Sequence, residues 1–216
     1  MNTLEVQKIS KRIKNEVVLN QISLEASSGN VYGIVGKNGS GKSMLFRAIA
    51  GLVKIQDGKM FWNGEDCTHN LTQKIRVGLI VENVNLYPNL SAMDNLRYLA
   101  KINGYIGDME IIEALEKIGL DYTNKKKMKT YSLGMRQKLI IAQAIMEKPD
   151  LILLDEPTNA LDEESVERFR QIVREQKKRG AIILIASHNR EDIAQLCDQV
   201  YFMKNGVLSQ EVPKNV

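Results

Sequence analysis

Two short stretches hold residues whose types and spacing can do chemistry together. Residues 36–43, GKNGSGKS, set three glycines, a lysine and a serine in the pattern G-x-x-x-x-G-K-[ST]. Gly36, Gly39 and Gly41 let the backbone turn tightly, so that successive N–H groups point at phosphate oxygens at the start of a helix. Lys42 would set a cation against β- and γ-phosphates, and the Ser43 hydroxyl can ligate Mg²⁺. A glycine-rich turn matching by chance would lack the right flanks. Here the apolar VYGIV precedes the loop and SMLFRAIA follows it before Gly51, which is strand, loop and helix in order. The second stretch is LILLDEP, 151–157, an apolar run ending in two carboxylates. At the edge of a parallel sheet, where ligands bind, Asp155 would hold a magnesium shell and Glu156 would polarise an attacking water. A solvated acid pair needs neither the apolar run before it nor a phosphate loop elsewhere. No N-K-x-D element for guanine is present, so adenine is the favoured base.

The elements that must position these residues read as mixed α/β. LEVQKIS, VVLNQISLEA and VYGIVG read as strands, and KMFW runs into an Asn63-Gly64 turn of the hairpin kind. Between Pro88 and Pro149 the pattern is helical and includes SLGMRQKLIIAQAIMEK. LILL at 151–154 and AIILIA at 181–186 suit strands buried on both faces of a parallel sheet. DEESVERFRQIVREQKKRG lies between them, with acids first, bases last and Gly180 as its stop, which matches a helix dipole.

Composition bounds the rest. The 216 residues suffice for one α/β domain with a small insertion; 44% hydrophobic and 26% charged is ordinary globular composition. The start lacks a signal-peptide layout, and no apolar run approaches the ~20 residues that span a bilayer. Cys67 and Cys197 lie far apart, so unpaired thiols in a reducing cytoplasm are expected. A net charge of +4 is mild and is no nucleic-acid footprint by itself. After the Asn205-Gly206 turn little chain is left, so no C-terminal regulatory domain is expected.

The stretch YSLGMRQKLIIAQAIMEKPDLILLDEPTNALD, 131–162, strongly resembles the ATP-binding cassette (ABC) family. That family's signature loop is L-S-G-G-Q; Tyr131, Ser132, Leu133, Gly134 and Met135 stand here, keeping the serine and the second glycine. The resemblance implies that Ser132 to Met135 grip the γ-phosphate bound by the opposite protomer. Ser132 as N-cap of a helix over 133–147 offers that chemistry, and by itself would be a plain cap. It further implies an ATP-binding loop of Gly36, Lys37, Asn38, Gly39, Ser40, Gly41, Lys42, Ser43 and Met44. Asn159, Ala160, Leu161 and Asp162 match the loop that crosses the dimer interface. His188, in IASHNRED after a buried strand, matches the switch histidine that contacts the γ-phosphate and orients the water, making Glu156, His188 and Lys42 the catalytic set. His69, in the polar loop CTHN, keeps a merely structural reading. The fold implied is α/β: a P-loop NTPase with a RecA-like core, an antiparallel β subdomain and a helical subdomain inserted at about 88–148, all in one nucleotide-binding domain.

Two positions depart from the family pattern. The family stacks adenine on an aromatic residue after the first strand, and Ile13 stands there; Tyr32 is no substitute, since it lies inside the strand entering the phosphate loop. An aliphatic cover forgoes stacking worth ~1–3 kcal/mol per base on aromatic platforms. VGLIVENVNLYPNLSAMDNL aligns with the family's glutamine loop, and Glu82 takes the glutamine's place. A carboxylate binds a hard cation more strongly than an amide oxygen does, so Ser43, Glu82 and Asp155 are the expected Mg²⁺ set. Glu82 together with YSLGM resembles the cassettes of bacitracin-type and lantibiotic self-protection exporters.

The function implied is the ATP-hydrolysing subunit of a bacterial transporter, cytoplasmic and held at the inner face of the membrane by separate permease subunits. Two copies would sandwich two ATP molecules, and a groove near Glu82 to Asn95, with Leu86, Tyr87, Pro88 and Leu90, would receive a permease helix. A different class, a soluble cassette ATPase of DNA repair or translation, would bring coiled coils, zinc modules or a second cassette, and none is seen. The run Lys125, Lys126, Lys127, Lys129 has no aromatic platform beside it, so no nucleic acid is expected. A regulatory ATP sensor without turnover is disfavoured by the presence of Glu156 and His188.

Overall fold

The structure, a computed structural model, describes residues 1–81 and 86–210. Strands β1 (Thr3–Ile13), β2 (Glu16–Ser27) and β3 (Val31–Val35) lead into α1 (Lys42–Ile49). There follow β4 (Asp57–Trp62), β5 (Glu65–Asp66), α2 (Leu71–Lys74) and β6 (Val77–Ile80). Three helices come next: α3 (Ala92–Asn103), α4 (Asp108–Lys117) and α5 (Leu133–Ile145), with a 3₁₀ turn at Met128–Thr130 before the last. The chain closes with β7 (Leu151–Asp155), α6 (Glu163–Lys178), β8 (Ile182–Ala186), α7 (Arg190–Leu196), β9 (Gln199–Lys204) and β10 (Val207–Ser209).

Two sheets form. One is antiparallel, in the order β2-β1-β4-β5; the other runs β10-β9-β3-β8-β7-β6 and is parallel except for the β10–β9 hairpin. The apolar runs behave as their composition demands, since every residue of β7 and of β8 is buried. Their side chains alternate between two cores. Leu151, Leu153, Ile182 and Leu184 join α1 and the antiparallel sheet, whereas Ile152, Leu154, Ile183 and Ile185 join α3 to α6. A period of two with both faces apolar is what a central parallel strand requires.

Local chemistry sets the element ends. Asn63 and Gly64, both at positive φ (52° and 80°), make the hairpin turn between β4 and β5. α6 starts on Asp162, whose carboxylate accepts from Ser165 N at 2.9 Å, and stops before Gly180 at φ 92°. The helical pattern between Pro88 and Pro149 is broken where its residues require it. α3 ends at Gly104 (φ 69°), and α5 stops at Ile145 rather than at residue 147, with Lys148 at φ 50° and Pro149 next. The first strand is longer than LEVQKIS. β1 runs past three register shifts against β2 to Ile13 before the turn at Lys14, so Ile13 is its last residue rather than one beyond it. Both cysteines are free, as unpaired thiols should be, and burial pushes them up to about 11 (Cys67) and about 12 (Cys197).

Candidate active site

The phosphate loop leaves β3 and enters α1 as the sequence pattern requires. Gly39 and Gly41 have φ of 78° and 111°, where a side chain is strained, and a Cβ on Gly41 would stand 2.8 Å from the Val18 carbonyl oxygen. Gly206 N donates to Ser40 O at 2.9 Å and ties the loop to the β9–β10 turn. Lys42 is 6% exposed; its ammonium donates to Gly36 O at 2.8 Å and to Lys37 O at 3.4 Å, so the cation lies across the loop's mouth. Ser40 Oγ is buried with no hydrogen-bond partner among the described residues. A buried hydroxyl in that position fits a phosphate oxygen, because leaving it unmatched costs ~1–3 kcal/mol. Ser43 and Met44 are half-buried in the first turn of α1, and Lys37, Asn38 and Gly39 are exposed.

Asp155 ends β7 and pairs with Ala186 of β8, which pairs with Ile34 of β3. The buried carboxylate thus stands two strands, ~10 Å, from the start of the phosphate loop on the same sheet edge. Ser43 and Asp155 are hard oxygen donors that fit Mg²⁺. Among the described residues no cluster of three His, Cys, Asp or Glu side chains gathers, so phosphate oxygens would have to complete the shell, as that cation prefers. Glu82, the third expected ligand, lies outside the described residues.

Glu156 continues the edge: its N–H donates to Ala186 O at 2.8 Å, and its φ of 49° lies in the left-handed region. For a non-glycine residue that conformation costs of order 1–3 kcal/mol and marks functional turns. It aims the carboxylate at the loop after β8. Glu156 Oε2 is 2.7 Å from His188 Nδ1 and accepts from His188 N at 3.4 Å. Glu156 Oε1 is buried with no hydrogen-bond partner among the described residues. The structure therefore brings together the acid and the histidine that the sequence separates by thirty-two residues.

Ser132 caps α5, accepting from Met135 N at 3.2 Å, with Leu133 exposed beside it. The described hydrogen bonds of this segment do not reach residues 36–44; they run to Lys129 and to the turn after Glu156. Gln137 Nε2 donates to Pro157 O at 2.7 Å, and a Cβ on Gly134 would stand 2.8 Å from Ala160 O. So Gly134 is a close-approach glycine, and the signature segment rests on residues 157–160. Asn159 and Ala160 are exposed, Ala160 at φ 66°, while Leu161 packs against the helical core. Asp162 is the cap of α6, and the Ser165 hydroxyl and N–H hold its carboxyl below the usual range. Ile13 is exposed opposite Glu16 on the neighbouring strand, and Tyr32 is buried with its hydroxyl accepting from Ser27 N at 2.8 Å, which takes it out of the nucleotide site. Sequence reasoning missed Gln137, Thr158, Arg170 and Asp192, whose contacts join segments far apart in the chain.

The ABC transporter family model matches residues 19–159. The chain belongs to that family. It is 45% identical over 205 residues to an uncharacterized ABC transporter ATP-binding protein, YybJ, of Bacillus subtilis (strain 168), covering 95% of this chain and 94% of that one. The lantibiotic transport ATP-binding protein SrtF of Streptococcus pyogenes is 34% identical over 208 residues, covering 96% and 90%. The bacitracin transport ATP-binding protein BcrA of Bacillus licheniformis is 36% identical over 207 residues, covering 95% and 68%. Among solved structures, an ATP-binding subunit of an ABC transporter superposes with a TM-score of 0.85 at 27% identity, covering 96% of this chain and 89% of that one. A dimeric bacterial ABC transporter cassette shares the fold, with a TM-score of 0.88 at 23% identity over 99% of both chains. The chain is thus an ABC ATPase, the ATP-binding subunit of a transporter, a reading these relatives support over a DNA-repair cassette.

Proposed function

We propose that this chain powers export of a peptide antibiotic by separate integral membrane subunits, two copies closing over two ATP molecules. The observation that carries the hydrolytic part is the 2.7 Å contact between Glu156 Oε2 and His188 Nδ1 on the sheet edge that also bears Lys42 and Asp155. In this reading Lys42 and the loop N–H groups hold the phosphates, Glu156 takes the proton of the attacking water, and His188 faces the γ-phosphate. Ser43, Asp155 and Glu82 would hold Mg²⁺, whose charge offsets that of the phosphates. Ser132 to Met135 would grip the γ-phosphate of the other copy, with Asn159 to Asp162 at the interface. Residues 88–148 act as the helical subdomain that meets the permease.

The peptide-antibiotic cargo follows the relatives named for lantibiotic and bacitracin transport. Among the described residues no helix is long and apolar enough to cross a membrane, which is why a permease partner is needed, on the cytoplasmic side. The test is to recover the chain from gently solubilised membranes of its host and identify what accompanies it. An integral membrane protein at comparable abundance is expected, and its own sequence would narrow the cargo. Ribosomes, DNA-processing factors or no partner would overturn the reading.

A further inference from the structure

Behind the contact between Glu156 and His188 lies a buried polar cluster to which the sequence motifs assign no role. Asp192, in α7, is 2% exposed. Its Oδ2 accepts from Thr158 Oγ1 at 2.8 Å, and its Oδ1 accepts from Arg170 Nε and Nη2 at 3.0 and 2.8 Å. Arg170, buried in α6, also lies 3.2 Å from Glu191 and 3.8 Å from Glu167. Thr158 is two residues past Glu156, and Asp192 is four past His188. The two segments that carry the acid and the histidine are therefore joined twice, once at the reacting end and once behind it.

The second joint matters because the first has little else to hold it. The His188 side chain is 65% exposed, so packing does not fix its ring. Its place is set by the backbone of residues 187–192, where Ser187 Oγ accepts from Asn189 N at 3.0 Å and Asn189 Oδ1 accepts from Glu191 N at 2.9 Å. That short capped turn is carried by α7, which Ile193 and Leu196 pack into place and Glu191 pairs with α6, and Asp192 is the residue that ties it to the Glu156 turn and to α6 at once. A buried carboxylate is costly unless its partners are all in place, so a shift of either segment would break the cluster rather than stretch it.

We propose that Asp192 is a positioning residue for hydrolysis: through Thr158 and Arg170 it holds His188 against Glu156. This rests on the reading above, in which Glu156 and His188 carry the reaction. A purely structural cluster would affect melting and leave the histidine and turnover as they were.

The chain has two histidines, and His69 is exposed and outside the site, so a His69→Gln background leaves His188 as the one imidazole signal in a ¹⁵N spectrum. In that background Thr158→Val removes the hydroxyl and leaves the Asp192–Arg170 pair intact, while Asp192→Asn weakens both bonds. Both variants should move the His188 Nδ1 signal from its hydrogen-bonded position toward that of a solvated imidazole. Both should lower kcat about tenfold with KM for ATP nearly unchanged, as misplaced catalytic groups do. Thr158→Ser should restore signal and rate together. If Asp192→Asn does not fold, Thr158→Val and Thr158→Ser decide the matter. An unmoved His188 signal, or an unchanged kcat, in folded Thr158→Val overturns the proposal. His188→Ala run in parallel separates the two claims: full turnover there sinks the reading of the site, whereas a dead His188→Ala beside an unaffected Thr158→Val sinks the positioning role alone.

Discussion

Lys42 and Asp155 are 6% and 5% exposed, whereas Leu133, next to Ser132, is 72% exposed. The phosphate loop and the Asp155–Glu156 edge are clamped among β3, β7 and β8, strands buried on both faces, and Lys42 already lies across the loop. The signature segment rests on the turn after Glu156 through Gln137 and Gly134 and leaves Leu133 exposed. In the proposed reading, one half of the ATP site is prebuilt in a single copy, and the other half would be a surface with work to do only against a second copy. The two halves share residues 156–160, so in that reading each copy's hydrolytic turn would also be the platform for the grip it offers its partner. A change at that turn would then be felt on both sides of the dimer.

The prebuilt half should break in two separable ways, and these are the largest effects expected. Lys42→Ala removes the cation at the loop's mouth, and should abolish ATP binding by single copies as well as hydrolysis. Glu156→Gln keeps the side chain's size and removes its basicity. ATP affinity should stay within a few-fold while phosphate release falls by about 10²–10⁴, the usual share of a general base. Fluorescent-nucleotide titration and a phosphate-release assay on both variants check this. A Glu156→Gln protein with near-normal turnover would remove the acid from the mechanism.

The open half should respond differently. Ser132→Ala removes the cap of α5, which costs ~1 kcal/mol and lowers the melting temperature. Ser132→Asp keeps a capping acceptor, so its melting temperature should stay near that of the parent. The same carboxylate would face the γ-phosphate of the opposite copy, so ATP-driven pairing should be lost and turnover should drop by roughly ten- to a hundredfold. Single copies of both variants should bind ATP as the parent does. Light scattering with and without ATP, beside the nucleotide titration, reads the difference. Weakened ATP binding by single copies of Ser132→Asp would mean that the signature segment serves its own site, and the contrast between the halves would fail.

The prebuilt half was also the legible half. GKNGSGKS and LILLDEP show their context locally, because strand, loop and helix each carry their own periodicity and the buried runs carry theirs. Asn63-Gly64 and the ends of α6, read from its acidic start and Gly180, were legible for the same reason: turn and helix-end chemistry is local. What the sequence did not show is long-range. Asp192 sits in a short helix with ordinary acidic neighbours, and only the fold brings it to Thr158 and Arg170, thirty-four and twenty-two residues away. Gln137 gave no sign that its amide would reach Pro157. The end of β1 was misplaced because the register shifts against β2 hide the alternation that marks a strand. The break of the helical stretch at Gly104 and the end of α5 at Ile145 rather than 147 were likewise not read, although a glycine at positive φ and the residues before Pro149 account for both.

The base-binding edge tests how far the prebuilt half extends, and its effect should be the smallest. Ile13 is 42% exposed at the end of β1, opposite Glu16 on the facing strand, so a base lying there would meet one aliphatic side chain on a partly wet surface. Stacking on an aromatic ring is worth ~1–3 kcal/mol per base and tolerates any base, because every base has a π-face. Ile13→Tyr at such an exposed edge should gain about 1 kcal/mol, or roughly fivefold in affinity, at the low end of that range. The gain should appear for ATP and GTP alike, while the parent binds the two with comparable affinity. Titration of both nucleotides against parent and variant is the measurement. Equal tightening would place the base on Ile13 and show that this edge gives affinity without reading the base. A parent strictly selective for ATP, or a variant that binds no better, would put base recognition on groups other than this strand end.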